Sequence, residues 1–142
     1  MSNQIQAQQR MLKELVIKSD PDNIYLVEEF IEDVRDTLEF KDDVYGNVMV
    51  AITEAVNNSI VHGNQGDSSK SVKVICESKN PYLLLIAIED EGSGFDADAL
   101  PDPTAPENLA NPGGRGVFLM RHLADDIQFA NEGRRVEMSF NI

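Results

Sequence analysis

Between Val48 and Ser59, apolar or small residues return at Val48, Ile52, Ala55 and Ser59, three and four positions apart. Only an α-helix turns that spacing into one continuous face, and the chain must then supply a core to cover it. Glu54 and Asn58 stand one turn apart on a different stripe of the same helix, so their side chains can converge on one small volume. A carboxylate beside a carboxamide offers oxygen acceptors to a hard cation, and the carboxylate can also take a proton. Gly63 directly after the periodic run is a helix stop, with His62 in the last turn as a helix-end residue rather than a ligand. Taken alone, Glu54 and Asn58 more often mark a solvated helix face, so the choice rests on what the rest of the chain provides.

The whole chain reads as strand, two helices, two strands, loop and helix, then two strands. Leu12–Lys18 reads as an opening strand that breaks at Ser19-Asp20-Pro21-Asp22. Ser19 or Asp20 can cap a helix from about Asp22 to Leu38, with Pro21 in its first turn. Ile24, Val27, Phe30, Ile31, Val34 and Leu38 would face inward, and the acidic residues between them would be solvated. Lys41-Asp42-Asp43 opens the second helix, which should run to about His62, followed by a loop. A strand is expected from about Ser71 to Glu77 and a turn at Lys79-Asn80-Pro81. The continuous apolar run from Tyr82 to Glu89 reads as a strand covered on both faces or central in its sheet. Val117–Leu123 reads as a short helix, and Asp126–Ala130 with Arg134–Ile142 as a hairpin around Asn131-Glu132-Gly133. This order predicts an α+β two-layer sandwich, a mixed but mostly antiparallel sheet with helices packed on one face.

A chain of 142 residues is expected to form a single domain, residues 1–142. Its net charge of −13 disfavours direct binding to nucleic acid, since no basic patch exists to displace counterions, and suits a locally basic partner. Cys76, the single cysteine, excludes an internal disulfide and reads as a small core residue. The glutamine-rich start is not of signal-peptide type, and the longest apolar run, Tyr82–Ile88, is too short to cross a bilayer. A cytoplasmic protein with no membrane partner is expected.

Two glycine stretches follow. Asp90-Glu91-Gly92-Ser93-Gly94 comes directly after the apolar strand. Without Cβ atoms, Gly92 and Gly94 let the backbone turn sharply and approach a flat ligand, while Asp90 is placed to accept from an exocyclic amine. Gly113-Gly114-Arg115-Gly116 sits just before a helix, where backbone N–H groups and the helix N-terminus form an anion site and Arg115 adds charge. Each stretch alone is equally well a plain turn or a glycine-rich cap.

In combination they are more specific. Glu54-Ala55-Val56-x-Asn58 with His62-Gly63, then Asp90-x-Gly92-x-Gly94, then Gly113-Gly114-Arg115-Gly116-Val117-Phe118-Leu119-Met120 occur in this order. The chain thereby resembles the GHKL (Bergerat-fold) ATP-binding family, which includes gyrase, heat-shock chaperone and histidine-kinase ATPase domains. The likeness spans nearly the whole chain and is greatest to the anti-sigma factor serine kinases of bacterial partner-switching systems.

The resemblance implies roles for these residues. Asn58 would hold Mg²⁺ against the phosphates of ATP, a position for which Asn57 is the alternative register, and Glu54 would act as general base or orient the nucleophile. Asp90 would recognise the adenine amine, with Gly92 and Gly94 shaping the base pocket. Gly114, Arg115 and Gly116 would contact the phosphates under a lid from about Asp96 to Pro112, mobile without nucleotide. It further implies a serine/threonine kinase that phosphorylates an anti-sigma-factor antagonist, sequesters a sigma factor and forms a homodimer. The lid contains no lysine or arginine and carries Asp96, Asp98, Asp102 and Glu107. Phosphoryl transfer needs positive charge around the moving group, so Mg²⁺, Arg115 and backbone N–H groups would have to supply it, with Arg121 in reserve. That composition keeps open a second function, a nucleotide-dependent switch that binds a regulatory partner without transferring phosphate.

Overall fold

The computed structural model describes residues 11–92 and 112–142. The opening strand β1 spans Met11–Lys18 and pairs antiparallel with β2, Ser71–Asn80. Side chains alternate along it, so Ile17 is buried while Leu12 and Val16 stay exposed. β2 runs on into Lys79 and Asn80, which the sequence assigns to a turn. Its register with β3, Leu83–Glu89, shifts between Glu77 and Asn80, and this irregularity lets the strand extend while the reversal falls at Pro81 and Tyr82.

β3 lies at the centre of a five-stranded sheet ordered β1-β2-β3-β5-β4, where β4 is Asp126–Ala130 and β5 is Arg135–Asn141. Every pairing among these strands is antiparallel, where the element order allowed a mixed sheet. The continuous apolar run of β3 reflects this central place. Leu84, Ile86 and Ile88 face the core, and Ala87 is buried on the opposite side although no described helix covers it.

Three helices among the described residues pack on the inner face. α1, Ile24–Leu38, buries Val27, Phe30, Ile31 and Val34, while Ile24 and Leu38 sit partly buried at the margin. A short 3₁₀ turn, Pro21–Asn23, precedes it, capped by Asp20, whose carboxylate accepts from the Asp22 N–H at 3.0 Å. Ser19 is buried instead and donates to the Lys70 carbonyl at 2.9 Å. Glu39, in the left-handed conformation, ends α1.

α2, Asp42–Asn58, presents Val48, Ala51, Ile52, Ala55 and Val56 to the core. Each large aliphatic side chain buried in this way contributes about 1.5–3 kcal/mol. The helix does not simply stop. Its end widens into a π-helical turn, Ser59–Gly63, closed by the Asn64 N–H donating to the Ser59 carbonyl at 2.8 Å. α3 runs from Pro112 to Leu123, five residues earlier than the sequence suggests. Proline suits a first helical position, so Gly113-Gly114-Arg115-Gly116 form the first turns of α3 rather than a loop in front of it. Cys76 is fully buried, and burial pushes its thiol up to about 12, as befits an inert core residue.

Candidate nucleotide site

The sheet and helices bring α2, β3 and α3 together at the end of the molecule where α2 turns π-helical. Between them lies a narrow cleft, with about 20 Å³ of space for water, lined by Ala55, Asn58, Ser59, Ile88, Asp90, Met120, Phe129, Gly133 and Val136. Its walls are largely aliphatic and aromatic, and Asn58, Ser59 and Asp90 are its polar side chains. A flat heterocycle with one or two amine donors matches that mixture.

Asp90 leaves β3 at its C-terminal end and is held from several directions. Its Oδ1 accepts from the Gly92 N–H at 2.9 Å, its backbone N–H donates to the Arg134 carbonyl at 2.9 Å, and the Ser59 hydroxyl lies beside its carboxylate. Burial pushes this carboxyl above its ordinary value, opposed by the Gly92 and Ser59 hydrogen bonds and by the charges of Arg134 and Lys70. An acceptor so confined is costly to leave unpaired, which suits it to read a donor on a ligand.

Two glycines make this geometry possible. A Cβ on Gly63 would lie 2.4 Å from Asp90 Oδ2, and a Cβ on Gly92 would lie 1.8 Å from the Gly63 carbonyl oxygen. Both positions need glycine for space, since neither adopts a left-handed φ. The close approach that Gly92 permits is thus to the protein's own backbone. Gly94 lies outside the described residues, as does the lid from Asp96 as far as residue 111.

At the other end of the pocket, a Cβ on Gly116 would come within 2.6 Å of Asn58 Nδ2, so the start of α3 packs directly against the Asn58 carboxamide. Asn57 is exposed, whereas Asn58 faces the pocket. Glu54 is partly buried one turn back on α2. Among the described residues, neither Glu54 nor Asn58 has a side-chain hydrogen bond or ion pair. The backbone of Gly114 and Arg115 lies in the first turns of α3. Arg121 stacks its guanidinium 5.4 Å from the centre of the ring of Phe129, one of the lining side chains. His62 is exposed on the π-helical turn. No cluster of three or more His, Cys, Asp or Glu among the described residues could hold a metal, and no described helix is long and apolar enough to cross a membrane.

An apolar cleft lined by a half-buried carboxylate and by a helix-borne carboxamide that packs on a glycine-rich helix start is an arrangement that a shared family should also show in sequence. Residues 17–140 match the histidine kinase-like ATPase domain. The chain belongs to that family. Its members are of the GHKL type that the three sequence boxes resemble. Among curated relatives, the chain is similar to the "Serine-protein kinase RsbW" of Oceanobacillus iheyensis, 22% identical over 125 residues, 84% of this chain and 78% of the relative. It is also similar to the protein of that name from Listeria monocytogenes, 24% identical over 135 residues, 88% of this chain and 83% of the relative. The Staphylococcus epidermidis protein of that name is 27% identical over 115 residues, 63% of this chain and 72% of the relative.

Two residues of this region escape the sequence reading. Ser59 counts there only as a small member of the apolar stripe, yet its hydroxyl meets Asp90. Asn64 reads as a loop residue by composition, yet it is buried. A polar residue at a core position of a helix was the available signal for Ser59. Nothing local distinguishes Asn64.

Proposed function

We propose that this chain is an ATP-dependent serine/threonine-protein kinase and anti-sigma factor, which transfers the γ-phosphate of ATP to an anti-sigma-factor antagonist and sequesters a sigma factor. The observation that carries the reading is that Asp90, Ser59 and Asn58 line one pocket. Family membership supports nucleotide binding and the names of the relatives support a serine-protein kinase, while the partner-switching setting rests on the resemblance of the sequence boxes.

In this reading Asp90 accepts from the adenine amine, and the apolar walls formed by Ile88, Met120 and Val136 enclose the base. The Gly92–Gly63 contact holds the turn that carries Asp90, with Gly94 completing the base pocket. Gly114, Arg115 and Gly116 offer backbone N–H groups and charge to the phosphates. The carboxamide oxygen of Asn58 is the group that would ligate Mg²⁺, which takes few protein ligands and fills its shell with phosphate and water oxygens. The tight packing of Gly116 on Asn58 fits this, because it fixes the carboxamide beside the helix start where phosphates would lie. When bound, Mg²⁺ would neutralise charge on the phosphates. Glu54 accepts the proton of the acceptor hydroxyl, or orients that hydroxyl for attack. A single domain acting as a homodimer in the cytoplasm completes the proposal, on the strength of the family resemblance.

The second reading, a nucleotide-dependent switch that binds its partner without transfer, is favoured by the acidic segment 96–112, which contains no lysine or arginine. Incubating the purified protein with labelled ATP, Mg²⁺ and the antagonist encoded nearest its gene separates the two. Label on a serine or threonine of the antagonist is the expected result. Binding of ATP and sigma factor with no labelled antagonist would leave the switch.

A further inference from the structure

We propose that Asn64 is a positioning residue for the nucleotide, which ties the turn carrying Asp90 to the turn following Asn58 and so sets the spacing between the two ends of the pocket. The inference rests on the reading of Asp90 as the adenine-recognising group.

Asn64 is 1% exposed, unusual for an asparagine just beyond a helix end. Its Nδ2 donates to Ser19 Oγ at 2.6 Å and to the Ser71 carbonyl at 3.0 Å, and its Oδ1 accepts from the Glu91 N–H at 2.9 Å. Its own N–H donates to the Ser59 carbonyl at 2.8 Å, and its carbonyl accepts from the Asp67 N–H at 3.0 Å. One side chain thereby joins the end of β1, the start of β2 and the turn after β3, while its backbone closes the π-helical turn after α2.

The bond to Glu91 is the informative one. Glu91 lies between Asp90, which faces the pocket, and Gly92, whose N–H holds Asp90 Oδ1. The Gly63–Gly92 contact stops the two turns from coming closer, since the Gly63 carbonyl fills the space a Cβ would take. A steric stop sets only a minimum separation. The Asn64–Glu91 hydrogen bond limits the maximum on the α2 side, while the Ser71 N–H, donating to Glu91 Oε2 at 2.5 Å, ties the same turn to β2; with the steric stop they hold Asp90 at a fixed reach from Ser59 and Asn58. Asn64 is absent from the pocket lining, so its effect must pass through Asp90. Aspartate would keep the acceptor but lose both donors, and serine is too short to span β1, β2 and the Asp90 turn at once.

The test is calorimetry of the full chain with Mg²⁺–ATP and Mg²⁺–GTP for Asn64→Asp, Asn64→Ser and Asp90→Asn, with circular dichroism melts and amide exchange at Gly92. A carboxylate acceptor favours the adenine amine and repels the guanine carbonyl, so nucleobase preference reports the placement of Asp90. Asn64→Asp is expected to lower the preference for ATP over GTP about tenfold and to speed exchange at Gly92. A lower melting temperature with unchanged preference would make Asn64 a structural residue only and overturn the proposal. If Asp90→Asn leaves the preference intact, the adenine reading fails and takes this inference with it; if Asp90→Asn abolishes it while Asn64→Asp does not, only this inference fails. Should both Asn64 variants fail to fold, Ser19→Ala, which removes one Asn64 partner, must show a smaller loss of preference, and no loss there would overturn the proposal.

Discussion

At the Asp90 end of the pocket, protein groups already satisfy one another. Gly92 and Ser59 hold the carboxylate, Asn64 holds the turn, and two glycine contacts leave no room for adjustment. On α2, Asn58, which lines the pocket, and Glu54, which does not, have side chains with no partner among the described residues, and only the packing of Gly116 constrains Asn58. The difference follows from what each end would meet. A nucleobase is rigid and presents fixed donors, so a prearranged acceptor gains affinity by avoiding the cost of ordering on binding. Phosphates, their metal and a protein hydroxyl arrive with their own charges and change during reaction, so groups free to engage them serve better there.

The largest effect should come from the open end. Glu54→Ala is expected to retain ATP and partner binding while transfer to the antagonist falls about 10²–10⁴-fold, read as single-turnover rates. Asn58→Ala should instead weaken Mg²⁺-dependent binding and transfer together. Loss of ATP binding in Glu54→Ala would erase the division of labour between the two ends.

Asp90→Asn comes next. It places a donor where the adenine amine also donates, and ATP affinity should fall by about 1–3 kcal/mol in calorimetry. Its stability should move the other way. Burial raises the Asp90 carboxyl above its ordinary value of 3.8, so in the window between that value and the raised one the folded state binds more protons than the unfolded state. Stability contributed by the protonated carboxyl is therefore lost as pH rises through the folded value, and the ionised form is a burden at neutral pH. The nucleotide-free Asp90→Asn protein should melt no lower than the parent, and a clear drop would mean that Asp90 is chiefly structural. By the same sign, adenosine, which has no phosphate to titrate, should begin to lose affinity on acidification above pH 3.8.

Glycine substitutions should give the cleanest contrast between positions, and the smallest effect of all at Gly46. Gly92→Ala must displace the Gly63 carbonyl and should destabilise by roughly 1–3 kcal/mol in urea melts, with nucleotide binding lost in step. Gly46→Ala, in the exposed second turn of α2 with nothing within 4 Å of its Cβ, should stabilise by roughly 0.5–1 kcal/mol and leave binding unchanged. Equal effects at both positions would show that the Gly63–Gly92 contact is not tight in solution.

Much of the architecture was legible because it depends on spacing along the chain. The apolar positions of α1 and α2, the alternation in β2 and the unbroken run of β3 are short-range patterns that burial then satisfies. The errors lie where spacing stops being informative. The start of α3 was placed too late because glycine lowers helix propensity, while Pro112 at the first position and the packing of Gly116 on Asn58 outweigh that local cost. The extra residues of β2 depend on the register it shares with β3, which is a property of the pair.

The sequence by itself determined the set of elements, their order, and the candidate residues Glu54, Asn58, Asp90 and the glycines, because helix period, strand alternation and missing Cβ atoms are local facts. Tertiary structure alone decided that Gly63 makes room for Asp90, that Ser59 lies beside it, and that Asn64 binds three elements at once. Those relations join residues tens of positions apart, and a hydrogen bond between them exists only once the sheet has brought the ends of β1, β2 and β3 to the π-helical turn of α2.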